Sequence, residues 1–243
     1  MVVVSEFDVR SVVNGRDLGG LPLAAGGATR LGVLLRSDAP YTGDRAPRGL
    51  QWPPSTVLDL RDSSEAGEAG AAWPDTVRRI SNPLFSGLRM DRVVQTSLID
   101  LYSGMVQNSG PQIVMALNRF DLSGPTLVHC AAGKDRTGVV VALALLLAGV
   151  ETEAIIVDYQ LTEAVIAGVY ARLDRGRHLP AGITLEDPIF RTPREAIELV
   201  IDQVSAASGA AWGWFEANGG DVPRFTRWAK QFCCTDGLRD GVV

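Results

Sequence analysis

Residues 126–150 read TLVHCAAGKDRTGVVVALALLLAGV, and they constrain the fold more than any other stretch of the chain. TLVH is a run of β-branched and apolar residues, the mark of a buried strand. AAGKDR is small and flexible. From Gly138 to Ala148 the residues are apolar at every position, so a helix here has no polar face and must be covered on all sides. At this length it is too short to span a bilayer comfortably, and it reads as a buried core helix. The stretch therefore predicts a strand, a tight loop and the N-terminus of a helix inside a large core.

Short strands are expected at 33–35, 56–60, 76–80 and 126–129. Helical spacing of apolar residues marks 91–107 and 111–120, broken by NSGP at 108–111. Beyond Gly149 the chain reads as helical to its end. Thr152 is expected to cap one helix, with Glu153 in its first turn. TPRE at 192–195 has the form of a capping box with proline at the first helical position, leading into Ile197, Val200, Ile201 and Val204. Val222, Phe225, Trp228, Ala229 and Phe232 share one face of a last helix. Strands interleaved with helices, followed by a helical block, predict a three-layer α/β fold with a mainly parallel sheet. One domain over 1–243 is expected, with an α/β core at about 10–150 and a helical elaboration at about 151–243 that forms a lid over the site. PYTGDRAPRG (40–49) and SSEAGEAGAA (63–72) read as exposed loops.

Composition narrows the function. The net charge of -5 argues against a nucleic-acid binder, which carries a basic face. Three cysteines, two of them adjacent at Cys233 and Cys234, make no disulfide framework. The start shows no basic region followed by an apolar run. A cytoplasmic protein with no stable membrane insertion is the expectation. The sequence leaves the oligomeric state open.

The chain has two histidines and two lysines, and one of each falls with Cys130 between His129 and Lys134. A loop that opens a helix gathers unpaired amides and the positive end of the helix dipole, which suits an anion. Such dipoles favour a thiolate at Cys130. Arg136 follows six positions later, and its planar fork grips two phosphate oxygens. Thr137 offers its hydroxyl to the thiolate. The pattern is a phosphate trap with a nucleophile at its floor. A Walker-type nucleotide loop would need glycine where Val128 stands. A rhodanese-type sulfurtransferase uses a similar loop without needing this arginine, and a phosphate-reading module without turnover would not need the cysteine.

His129, Cys130 and Arg136 match the H-C-x5-R signature of cysteine-dependent protein tyrosine phosphatases, and HCAAGKDRTG resembles the bacterial and fungal branch with Lys and Asp inside the loop. NGRDLGG (14–20), LLRSDAP (34–40), DLR (59–61) and DYQLT (158–162) agree with it. The resemblance implies Cys130 as nucleophile and Arg136 as phosphate clamp. It places substrate against Ala131, Ala132, Gly133, Lys134 and Thr137, and it implies no metal or other cofactor. The implied partner is a phosphotyrosine protein, with a phosphoinositide as the alternative, because Lys134 is a second cation for a substrate with a second phosphate. The proton donor is left open between Asp135 in the loop and Asp59 at the end of a strand; the other reading is a loop-ordering hydrogen bond for Asp135 and a partner of Arg136 or Arg61 for Asp59. Arg36, Ser37 and Asp38 are expected to buttress the loop. Asp62 and Asp91 are outsiders, and His178 reads as an exposed helix-end residue.

Overall fold

The computed structural model describes residues 8–66, 71–84, 97–176, 179 and 181–234. Asp91, His178 and the first six residues of the helix expected at 91–107 lie outside these. A five-stranded sheet forms the centre, in the order β1 (Arg16–Asp17), β3 (Leu34–Ser37), β6 (Thr126–His129), β4 (Thr56–Asp59) and β5 (Arg78–Ser81). β1 is antiparallel to β3, and the other neighbours are parallel. The fold is mixed α/β with a mostly parallel sheet, as the sequence predicts.

The register assigns the two faces. Leu35, Leu127 and Val57 occupy one row, and Ser37, His129 and Asp59 the row two positions on. Side chains alternate across a strand, so both rows face the same side. That side is covered by loops carrying Leu50, Trp52 and Trp73. Leu34, Leu58, Val128 and the residue after the strand, Cys130, belong to the other and larger core. That core holds the apolar helix α4 (Asp135–Leu147), in which ten of thirteen residues are buried. Each fully buried aliphatic side chain contributes about 1.5–3 kcal/mol, so α4 anchors the layer that positions the loop.

Around α4 pack α2 (Leu98–Asn108), α3 (Gly110–Leu117), α5 (Thr152–Gln160), α7 (Arg194–Ser205), α8 (Ala210–Ala217) and α9 (Val222–Phe232). α1 (Ser63–Ala66) is a single turn after β4, and α6 (Ile166–Arg175) follows a 3-10 segment, Leu161–Val165. Val169 and Leu173 of α6, with Phe190, pack against Ala131 and Ala132 of the loop. The run Thr152–Arg175 is long and apolar enough by length and composition to cross a membrane. Here the 3-10 segment interrupts it; Ile155, Ile156 and Tyr159 are buried in the core and Val169 and Leu173 against the loop, while Val157 and Leu161 are exposed.

Three local expectations need correction. The helix from 192 is not closed by a capping box: it begins at Arg194 with Pro193 at the cap, and the Thr192 hydroxyl and amide both bond to Glu163 Oε2. A carboxylate from another segment outcompetes the local cap. Thr152 lies inside the first turn of α5, where Glu151 is the cap. The chain beyond Gly149 is not helical throughout: Cys233–Cys234 form β7, which pairs antiparallel with β2 (Ala28–Thr29).

Candidate active site

Cys130 lies just beyond the end of β6, 2% exposed, and the loop turns from it into α4. Gly133 makes that turn with φ +67, and a Cβ there would stand 2.3 Å from the Ser37 carbonyl oxygen. Only glycine meets both conditions.

The loop carbonyls are held by the scaffold. Ala39 N donates to Ala131 O at 3.0 Å. Asn14 Nδ2 donates to Ala132 O at 3.0 Å and to Gly133 O at 3.2 Å. Arg36 Nη2 donates to Gly133 O at 2.7 Å. A trans peptide is planar, so fixing each carbonyl toward the scaffold turns the following N–H the opposite way. The amides from Ala131 to Thr137 find no backbone or side-chain acceptor among the described residues. They lie at a helix N-terminus whose cap residue, Lys134, supplies no side-chain bond. Unpaired amides in this arrangement bind an anion.

The buttress joins three of the short stretches that carry the family resemblance. Arg36 Nη1 donates to Asp158 Oδ2 at 2.6 Å, and Arg16 Nε donates to Asp158 Oδ1 at 2.7 Å. Arg16 also donates to Asn14 Oδ1 at 2.6 Å, and so does the Thr162 hydroxyl at 3.3 Å. Asp158 is buried, which raises its pKa, but Arg36 and Arg16 outweigh that and hold it below the usual carboxylate range. Burial, then the like charge of Arg36, pushes Arg16 down to about 10. Two arginines on one carboxylate leave one net positive charge behind the loop. Asp38, also expected to buttress, accepts from the amides of Val13 and Asn14 and lies 2.6 Å from Arg172 Nε.

Arg136, the expected clamp, is gripped by a residue that sequence reading missed. Its Nη1 and Nη2 reach Glu65 Oε2 and Oε1 at 2.5 and 2.6 Å, a bidentate fork. Burial would lower its pKa, but the Glu65 bonds and the nearby Cys130 sulfur raise it. Glu65 belongs to α1, within a stretch that reads as loop. The signal was present: DSSE is itself a capping box, with Glu65 N donating to Asp62 Oδ1 at 3.0 Å and Asp62 N to Glu65 Oε2 at 3.2 Å. Asp62 is thus the cap of the turn that carries Glu65.

The two candidate acids separate. Asp135 Oδ1 accepts from Lys134 Nζ at 2.6 Å and from the Tyr102 hydroxyl at 2.8 Å, and the side chain stays 21% exposed. Asp59 lies opposite His129 in the sheet, on the face away from the Cys130 core. Both its oxygens are bound by Arg61, at 3.0 and 2.7 Å. Burial raises its pKa, yet His129 and Arg61 together lower it below the ordinary value. Of the two roles open to Asp59, proton donor or partner of a nearby arginine, the geometry is that of a partner of Arg61. His129 is buried, which holds its ring below the usual imidazole range.

Lys134 also needs correction. It is 1% exposed, with Nζ bound to Asp135 and to the Arg191 carbonyl at 3.0 Å. An ammonium enclosed in this way does not present a free charge to a second phosphate. Thr137 Oγ1 is buried and makes no hydrogen bond, so the bond expected to Cys130 is not formed. Among the described residues no group of three His, Cys, Asp or Glu could hold a metal.

A model of the tyrosine phosphatase family matches residues 7–231. A Cupriavidus necator protein that bears a tyrosine-protein phosphatase name is 31% identical over 167 residues, 61% of this chain and 60% of that protein. The triple specificity protein phosphatase PtpB of Mycobacterium tuberculosis is 45% identical over 49 residues, 20% of this chain and 18% of that one. A tyrosine-protein phosphatase of Nostoc commune is 36% identical over 74 residues, 30% of this chain and 25% of that protein. The matches span less than two thirds of the length of each of these relatives.

Proposed function

The chain belongs to the tyrosine phosphatase family, and we propose that it hydrolyses phosphotyrosine in proteins through a phosphocysteine intermediate. The observation that carries this reading is the run of amides from Ala131 to Thr137, directly after Cys130, that find no acceptor among the described residues, with the loop carbonyls tied back by Asn14, Arg36 and Ala39. Such a run is complementary to the three equatorial oxygens of a phosphoryl group in flight.

The Cys130 thiolate attacks phosphorus, and an S–P bond forms as the P–O bond to the tyrosyl oxygen breaks. Asp135, entering as the carboxylic acid, gives its proton to the departing phenolate. Water then attacks phosphorus, Asp135 as carboxylate takes a proton from it, and the S–P bond breaks. Inorganic phosphate and the thiolate are released. Arg136 moves with the charge on the phosphoryl oxygens, and Glu65 keeps its fork in the plane needed to meet two of them. The partly exposed side chain of Asp135 and its place in the same loop, five residues after Cys130, support it as the acid, and the pairing of both Asp59 oxygens with Arg61 argues against Asp59. Enclosure of Lys134 takes away the main motive for a phosphoinositide substrate.

The test is phosphate release from phosphotyrosine, phosphoserine and phosphothreonine peptides and from phosphoinositide vesicles. Release is expected foremost from phosphotyrosine peptides and is expected to vanish in Cys130→Ser, with phosphate binding retained by the amides. Turnover retained by Cys130→Ser would sink the mechanism, and release only from phosphoinositides would sink the substrate.

A further inference from the structure

We propose that Tyr102, backed by Tyr159, is the positioning residue for the catalytic carboxylate, fixing Asp135 Oδ1 so that Oδ2 is the atom that gives and takes the proton. This rests on the reading of Asp135 as the acid.

The geometry begins with an inequality between two oxygens. Oδ1 accepts two hydrogen bonds, from Lys134 Nζ and from the Tyr102 hydroxyl. Oδ2 accepts none among the described residues. A carboxylate held this way has lost its rotational freedom, and its only unoccupied oxygen is the one left to exchange a proton.

Tyr102 is fully buried on α2, and its hydroxyl also lies 2.9 Å from the hydroxyl of Tyr159 on α5. Distance alone does not say which of the two donates. The carboxylate does: Tyr102 has one hydroxyl hydrogen, Asp135 Oδ1 can only accept it when ionised, and so Tyr159 must donate to Tyr102. The direction of the chain is Tyr159 to Tyr102 to Asp135. The rings meet edge to face, with centroids 5.9 Å apart. Tyr159 in turn rests against Gly138 in the first turn of α4, where an added Cβ would stand 3.2 Å from its ring. Burial holds both hydroxyls above the ordinary tyrosine range, so both remain donors at any working pH.

A buried tyrosine pair can be no more than two hydroxyls satisfying one another. That reading accounts for the contact between the rings but not for the hydrogen that Tyr102 sends to Asp135. The groups facing Asp135 are Lys134 and Arg136 from its own loop and helix and Tyr102 from α2, with Tyr159 behind on α5. Arg36 and Glu163 act on Tyr159 from further out.

Tyr102→Phe, Asp135→Asn and the double variant are to be compared on phenyl phosphate, a poor leaving group, and on p-nitrophenyl phosphate, a good one. A hydrogen bond to a charged group is worth about tenfold or more, so Tyr102→Phe is expected to slow phenyl phosphate by about that factor and p-nitrophenyl phosphate by much less. On top of Asp135→Asn it should add no further loss. Tyr159→Phe, which leaves the Tyr102 bond in place, should show the same pattern more weakly, and it serves if Tyr102→Phe does not fold. If Asp135→Asn shows the leaving-group dependence and the tyrosine variants lose rate equally on both substrates or additively with it, the positioning role is overturned and the acid stands. If Asp135→Asn shows no such dependence, the acid assignment itself falls.

Discussion

Arg36 joins Asp158 to the carbonyl of Gly133: one nitrogen of its fork reaches the carboxylate at 2.6 Å and another reaches the loop oxygen at 2.7 Å. The loop is therefore aimed by an ion pair buried in the core. Removing the carboxylate leaves two arginines facing each other without compensation. Asp158→Asn is expected to cost about 3–5 kcal/mol, as breaking one partner of a buried pair does. Urea unfolding measures it. The sign with pH follows from the lowered carboxyl: its stabilising contribution is present above the unfolded value of about 3.9 and is lost as pH falls through the lower folded value. The gap between wild type and Asp158→Asn should be full at neutral pH and close in acid. A gap that stays constant down to low pH would show that the charge of Asp158 contributes nothing.

Gly133→Ala combines a positive φ with a backbone contact of 2.3 Å at Ser37. The backbone conformation alone costs about 1–2 kcal/mol for a residue with a Cβ, and the loop must also move off β3. Weaker phosphate binding, read by isothermal titration, should accompany lower stability. A variant that binds phosphate normally would show that the carbonyl anchoring does not set the amides.

Much of this was legible in advance, and what was not has a physical reason. The strand, loop and helix at 126–147 follow from composition, because a helix without a polar face can only be buried. Cys130 and Arg136 follow from spacing within one turn of chain. Which of its two roles Asp59 takes did not follow, because its side depends on register: once Asp59 is paired with His129, alternation sends it to the opposite face from the next residue, Cys130. Asp158 as counter-charge to Arg16 and Arg36 depends on which helix crosses which strand, and local pattern carries no such information. Glu65 was hidden by the glycines around it, although its cap with Asp62 is a local signal. Thr192 shows the reverse case, a capping motif whose hydroxyl is taken by the distant Glu163.

Glu65→Gln keeps the shape of the fork's partner and removes its charge. Arg136 should then reach phosphate from a less fixed plane, and kcat should fall by roughly tenfold, the scale of one weakened charged hydrogen bond. Arg136→Lys should be worse, about 100-fold or more, since a point charge cannot replace a transition-state donor fork. Steady-state kinetics on p-nitrophenyl phosphate separate the two. A Glu65→Gln variant as impaired as Arg136→Lys would mean that Glu65 does more than hold the fork.

Lys134→Ala should lower turnover on every substrate by a similar factor, since its ammonium serves Asp135 and the Arg191 carbonyl. It should also loosen the segment around Arg191, read as faster amide exchange near Thr192. A loss confined to phosphoinositides would restore the second-phosphate role that the enclosure of the side chain argues against.

The anchors of the loop come from far along the chain. Asn14 reaches Ala132 across 118 positions, Arg36 reaches Gly133 across 97, and Arg16 reaches Asp158 across 142. Contacts so distant form late, after the entropy of closing long loops has been met. A nascent chain released as far as residue 150 already holds the nucleophile and the clamp, but it lacks the carboxylate that lets Arg16 and Arg36 sit together beneath them. In chain order the cysteine therefore precedes its support, and the paired arginines behind the loop gain their counter-charge only with α5.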